Sequence, residues 1–166
     1  VGKVLQFAPS MDADELQGVF KPYNQTQLSA AQAACVLDQL AVIEENIEHR
    51  RQLANIYESM LDSPFIVSKG AAVLRYPLLV TNKQTFIQQS MAKGLSVGNW
   101  FSTPVHPCST GIAALSYKGG SCPRAEEMAN HIVNLPTSLQ FNVEDAKAIV
   151  RVVLSIAPQL VKRNHG

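Results

Sequence analysis

Long apolar runs are missing from this 166-residue chain. No stretch approaches the roughly 20 residues that a helix needs to span a bilayer, and no signal-peptide pattern opens it, so no membrane association is expected. Surplus charge is missing too. Fourteen Lys and Arg stand against 13 Asp and Glu, and the net charge of +1 is gathered into no basic stripe. That balance argues against nucleic acid or an anionic membrane surface as a partner. Cysteine is scarce: Cys35, Cys108 and Cys122 are odd in number and far apart. The pattern fits reduced thiols in a cytoplasmic protein, not a disulfide frame. A phosphate loop, a dinucleotide fingerprint, a zinc-spaced Cys/His set and a nucleophile elbow are likewise absent. The first residue is Val1 and not Met, as expected of a trimmed chain or of a piece of something longer.

What is present is an ordinary apolar content of 46%, enough for one domain with a real core. Within it, Ser29 to Leu61 reads as one long amphipathic helix. Ser29 is its expected N-cap, and Gln32 three residues on completes a capping box. Val36, Leu40, Ile43, Ile47, Arg50, Ala54, Tyr57 and Leu61 recur at spacings of three and four and define one stripe. Glu44, Glu45, Glu48, Arg51 and Gln52 fall mostly on the other, solvated face. A helix over 29–61 would run about 50 Å at 1.5 Å per residue, longer than a core helix of so small a domain needs. Such a helix bridges two bodies, either domains or subunits. Cys35, inside it, is expected to be a small core residue.

The remaining pattern is mixed. Residues 1–27 form a lead-in arm and residues 161–166 a tail, leaving 28–160 as a single domain. Phe65 to Ser68, Val73 to Val80 and Leu95 to Phe101 read as strands. Pro77 places the second at an edge or a bulge, because it lacks a ladder donor. Gln84 to Lys93 reads as a helix closed by Gly94, and Arg124 to Val133 as a helix started by Pro123. Asn134 to Thr137 is a short extended piece. Val143 to Ile156 is a last helix capped by Asn142. The expected fold class is α+β, a small sheet of three to four strands covered by helices.

Chemistry is thinly signalled. His106 and Cys108 share a Pro-flanked loop, but no second pair at metal spacing follows and no third group orients them. His106 still stands out, because it follows a strand candidate that carries Trp100 and Phe101. His49, His131 and the glutamates read as packing or helix-surface residues. Composition and spacing name no catalytic residue and no metal ligand.

Four stretches, in order and spacing together, say more. They are Leu28 to Leu40 (LSAAQAACVLDQL), Arg50 to Tyr57 (RRQLANIY), Gly94 to Pro107 (GLSVGNWFSTPVHP), and Tyr117 to Thr137, with its Y-x-G-G-x-C-P-x-A-E and I-V-N-L-P-T. They resemble the C-terminal part of a DegT-type sugar aminotransferase, a pyridoxal-phosphate enzyme of the aspartate-aminotransferase fold. The resemblance implies the small domain of that fold. It also implies that the lysine forming the Schiff base, and most of the cofactor pocket, belong to a large N-terminal domain. Lys69, Lys83 and Lys93 match no cofactor motif. The resemblance places Gln25 and Gln27, with Asn24 adjacent, where polar residues reach towards the cofactor phosphate of the partner subunit. A neutral Gln is a poorer phosphate ligand than the Arg often found there. Trp100, His106 and Tyr117 match positions on the sugar-nucleotide side.

Two functions compete at this point. In one, the chain is the small domain of an aminotransferase for keto sugars. It contributes substrate contacts and dimer surface, and by itself holds no pyridoxal phosphate and no activity. In the other, it is a free-standing binding or dimerisation module derived from that domain. An unrelated enzyme using His106 and Cys108 is a third, lesser alternative.

Overall fold

Ser29 starts the first helix as its spacing predicts. Its Oγ accepts a hydrogen bond from the Gln32 amide at 3.2 Å, and its own amide donates to Gln32 Oε1 at 2.9 Å. The computed structural model of the protein describes residues 27–63, 71–105 and 116–160. Over these, helix α1 (Ala30–Ala41) is followed by α2 (Ile43–Met60), strand β1 (Arg75–Leu79) and α3 (Lys83–Ala92). Helix α4 (Pro123–His131), strand β2 (Ile132–Pro136), α5 (Val143–Ile156) and a 3₁₀ turn (Pro158–Leu160) complete the order.

The expected single helix over 29–61 is two helices. They meet at Val42, whose φ of −111° and ψ of 12° leave the helical region. Val42 and Ile43 are consecutive β-branched residues, each 42% exposed, so a stiff, crowded step has no packing to hold it helical. Helix α1 buries no residue at all. Cys35 is accordingly exposed and not in the core, contrary to the sequence expectation, because nothing among the described residues covers that helix. Burial begins on α2, at Leu53, Ala54 and Tyr57, and continues to Leu61.

Among the described residues the sheet is smaller than expected. Among the described residues it has two strands, with β1 antiparallel to β2. The third strand expected at Leu95 to Phe101 is reduced to one bridge, between Gly98 and Asn134. The candidate strand at 65–68 lies outside the described residues. That single bridge explains how Pro77 is tolerated. The Asn134 amide donates to Gly98 O at 3.0 Å and the Gly98 amide donates to Asn134 O at 2.8 Å. Both backbone groups of Asn134 therefore point away from β1, and its partner Pro77 occupies a non-hydrogen-bonded pair. The missing proline donor would have faced away from β2, on the side of β1 where no strand pairs among the described residues.

One face of the sheet carries the core. Tyr76 and Leu78 of β1, with Val133 and Leu135 of β2, are fully buried against Leu53, Tyr57 and Leu61. Helix α5 adds Ala146, Ile149, Val150 and Val153, the i, i+3, i+4, i+7 stripe of an amphipathic helix. It is held at its start by the expected N-cap Asn142, and Asp145 completes a capping box there. Tyr57 ties helix to sheet: its hydroxyl donates to Pro136 O at 2.8 Å, and its ring lies 5.3 Å from that of Tyr76. Gly94, with φ of +78°, ends α3 in the left-handed conformation expected of it.

Candidate functional site

At the end of the sheet where β1 begins and β2 stops, Arg50, Arg75, Gly98, Trp100, Thr137 and Phe141 line a groove of about 490 Å³. Arg50 reaches it from α2. Its Nε donates to Asn46 Oδ1 at 2.6 Å, one helical turn back. Its Nη1 donates to the Leu74 carbonyl at 3.0 Å and to Thr137 Oγ1 at 3.2 Å. The Thr137 hydroxyl in turn lies 2.8 Å from the carbonyls of both Val73 and Leu74. One guanidinium thus joins α2, the lead into β1 and the end of β2. His49, the preceding residue, adds a bond from Nε2 to the Phe141 carbonyl at 2.8 Å, which fixes the loop before α5.

Arg75 is the first residue of β1. Its guanidinium carbon sits 4.9 Å from the centroid of the Trp100 ring, within cation–π range. Burial, and then the Arg50 charge, push its pKa below the ordinary arginine range. Gly98 makes this approach possible. A Cβ there would stand 3.1 Å from Asn134 Cβ, 3.3 Å from Arg75 Nη1 and 3.5 Å from Trp100 Cδ1.

A second cavity, of about 610 Å³, is lined by Asn82, Lys83, Gln88, Asn99, Ser102 and Asn130. Lys83 spans it. Its Nζ donates to Phe101 O at 2.8 Å and to Ala129 O at 2.9 Å. The second of these carbonyls is in the last turn of α4, where no intrahelical donor reaches it. Burial lowers the Lys83 pKa.

Of the residues singled out in the sequence, Trp100 is in the groove. Tyr117 is not among its lining residues. It stands at the start of α4, where its hydroxyl and the Gly120 amide both donate to Glu126 Oε1, at 2.8 and 2.7 Å. Gln27 is exposed just ahead of α1. Asn24, Gln25, His106 and Cys108 lie outside the described residues. Sequence reasoning missed Arg50, Arg75, Gly98 and Thr137 as site residues. Two of them left a trace: Arg50 as a charged residue on an otherwise apolar stripe, and Arg75 as one of two interruptions in an apolar strand.

A pyridoxal cofactor needs a lysine whose amine is available in an enclosed pocket. None of the lysines among the described residues fits. The Lys83 ammonium is engaged by two carbonyls, Lys147 pairs with Glu144 at 2.8 Å, and Lys93 and Lys118 are exposed. Nor does any group of three His, Cys, Asp or Glu side chains converge as metal ligands among the described residues. No helix among them is long and apolar enough to cross a membrane.

No curated protein sequence is significantly similar to this chain. Solved structures share its fold. A DegT DnrJ EryC1 StrS aminotransferase from Brucella abortus matches with a TM-score of 0.64 at 23% identity, over 78% of this chain and 36% of that one. DesV of S. venezuelae, solved in complex with a ketimine intermediate, matches with a TM-score of 0.66 at 20% identity, over 81% and 40%. The sugar aminotransferase CalS13 from Micromonospora echinospora matches with a TM-score of 0.55 at 17% identity, over 72% and 33%. The chain therefore spans well under half the length of each of these relatives. At such identities the likeness shows the fold, and the family rests on the sequence itself. The profile of the DegT/DnrJ/EryC1/StrS aminotransferases matches residues 11–154, nearly the whole chain, and the protein belongs to that family.

Proposed function

We propose that this chain is the substrate-side domain of a sugar-nucleotide aminotransferase, in which an amino group is transferred to a keto sugar. The observation that carries the reading is the groove of Arg50, Arg75, Trp100 and Thr137, set in a chain of this family. Pyridoxal phosphate would supply the electron sink for the transfer when bound. The lysines of the described residues do not fit it, so the reading assigns the cofactor to a further domain that completes the enzyme. This chain's own share is binding and orientation. Trp100 and the two guanidiniums line the groove, and the Arg50–Thr137 bond holds its wall in place.

Within the same reading, His106 and Tyr117 contribute to the sugar-nucleotide side, and Asn24, Gln25 and Gln27 approach the cofactor phosphate of a partner subunit. The Gly98 bridge is where a third strand would grow in the complete enzyme. Reduced cysteines fit a cytoplasmic setting. Helix α1 favours a second body. Val36, Leu37 and Leu40 on it are 44%, 67% and 53% exposed, and a large domain or a second copy of this chain would cover them. If a second copy does so, the chain is a free-standing dimeric module, and sedimentation equilibrium would show a discrete dimer at low concentration.

The chain has one tryptophan, so an ¹⁵N-labelled sample gives a single indole N–H resonance, that of Trp100. Titration with a nucleoside-diphosphate sugar should move it saturably, whereas the free nucleoside should not. An unmoved indole resonance at millimolar sugar nucleotide would count against the groove as the substrate side.

A further inference from the structure

We propose that a third cavity, between the end of α3 and the first turns of α5, binds a free amino acid with an aliphatic side chain. The cavity measures about 350 Å³, at the small end of the range for ligand pockets. Leu95, Phe141, Ile149 and Val152 supply its apolar lining. Leu95 and Ile149 are buried in the core, and Phe141 and Val152 pack against it, so the floor is part of the folded framework. Lys93 and Asp145 are the only charged residues among the lining. They are opposite in sign, yet they do not meet: Lys93 has no ion pair and no side-chain hydrogen bond among the described residues. The site lies outside the groove read as the substrate side, sharing Phe141 with it, and stands whether or not that reading does.

Hydrogen bonds fix the walls that carry these charges. On the α3 side, the Lys93 amide donates to Gln89 O at 3.2 Å, the Gly94 amide to Met91 O at 3.0 Å and the Leu95 amide to Ser90 O at 2.9 Å. On the α5 side, Asp145 Oδ2 accepts from the Asn142 amide at 2.9 Å, which leaves Oδ1 without a donor among the described residues. The His49 bond to the Phe141 carbonyl, at 2.8 Å, holds the segment between them. An oriented carboxylate oxygen is an acceptor for an ammonium, and an ammonium on a flexible stem reaches a carboxylate. The apolar floor takes an aliphatic group. A single carbon that bears an ammonium, a carboxylate and an aliphatic side chain is that of a free amino acid. The end of a peptide carries one of the two charges beside its side chain and meets half of the site.

The ¹⁵N-labelled full chain should be titrated with L-leucine, following the backbone amide of Gly94, which lines the cavity. A saturable shift is expected. Three probes each lack one group: glycine the side chain, 4-methylpentanoate the ammonium and 3-methylbutylamine the carboxylate. Each should bind about tenfold more weakly or worse, the scale of one lost charge-assisted hydrogen bond or one unburied aliphatic group. Lys93→Met should weaken leucine by a similar factor and leave the response to 3-methylbutylamine unchanged, since that amine has no carboxylate to lose. Asp145→Asn should weaken leucine and leave 4-methylpentanoate unchanged. If Asp145→Asn fails to fold for want of its cap, the Lys93→Met comparison decides alone. Equal affinity for leucine and for the two singly charged probes would mean a plain apolar cleft and would overturn the site. So would leucine that leaves Gly94 unmoved, or that moves only the Trp100 indole. None of these outcomes touches the sugar-nucleotide titration of the groove, so the two readings fail separately.

Discussion

Lys83 Nζ donates to the carbonyl of Phe101, the residue after Trp100, while its second bond grips Ala129 in the last turn of α4. The ammonium is thereby a tether that fixes the loop bearing the groove's aromatic wall. Lys83→Met keeps the apolar stem and removes both bonds. We expect Trp100 emission to shift to the red and to be more readily quenched by acrylamide, with about 1–2 kcal/mol lost from stability. Unchanged quenching would mean that the loop holds its place without the tether.

Gly98→Ala tests the close approach of three residues. The new methyl would press on Asn134 Cβ and on the Arg75 guanidinium, and one of them must yield. The expected cost is about 1–2 kcal/mol in urea denaturation, together with a displaced indole resonance as Arg75 leaves the ring. A variant as stable as wild type with an unmoved resonance would show that the neighbours adjust freely.

Tyr57 joins core to sheet, so Tyr57→Phe should cost about 1 kcal/mol for its bond to Pro136. The residue also gives a pH signature. Burial, reinforced by the Asp145 carboxylate, pushes its phenol above the ordinary tyrosine value of 10.0. A raised folded-state pKa means that the native chain holds the proton more tightly than the unfolded one. The stabilisation is therefore complete below about pH 10 and lost as pH climbs beyond it. Urea midpoints measured on either side of that pH should fall for wild type. They should fall less for Tyr57→Phe, in which the buried Tyr76 remains.

Asn142→Ala removes half of the capping box that starts α5. A loss of about 1 kcal/mol is expected, read from the thermal or urea midpoint. A cap of no consequence there would mean that packing of Val150 and Val153 alone sets the start of that helix.

Particular residues show how much of this was legible in the sequence. Asn142, Ser29 with Gln32, and Gly94 are local signals, and each sits where its pattern placed it. The break at Val42 was not legible. Whether a long stripe stays one helix depends on what covers it, and α1 has nothing against it among the described residues. Arg50 and Arg75 were visible as anomalies, a charge on an apolar stripe and a charge in an apolar strand. What brings them to one groove is the pairing of β1 with β2 and the bridge from Gly98 to Asn134. Those contacts join residues far apart in the chain, and no periodicity reports them. Trp100 was reached through family resemblance, and the groove around it through the fold.

The central claim is that this chain supplies the substrate side of an aminotransferase and leaves the cofactor to another domain. The most direct measurement is to incubate the purified chain with pyridoxal phosphate, dialyse it, reduce it with borohydride and map any pyridoxyl-lysine by mass spectrometry. We predict no imine absorbance after dialysis and no single lysine carrying the label. A stable yellow species reduced onto one specific lysine would contradict the account.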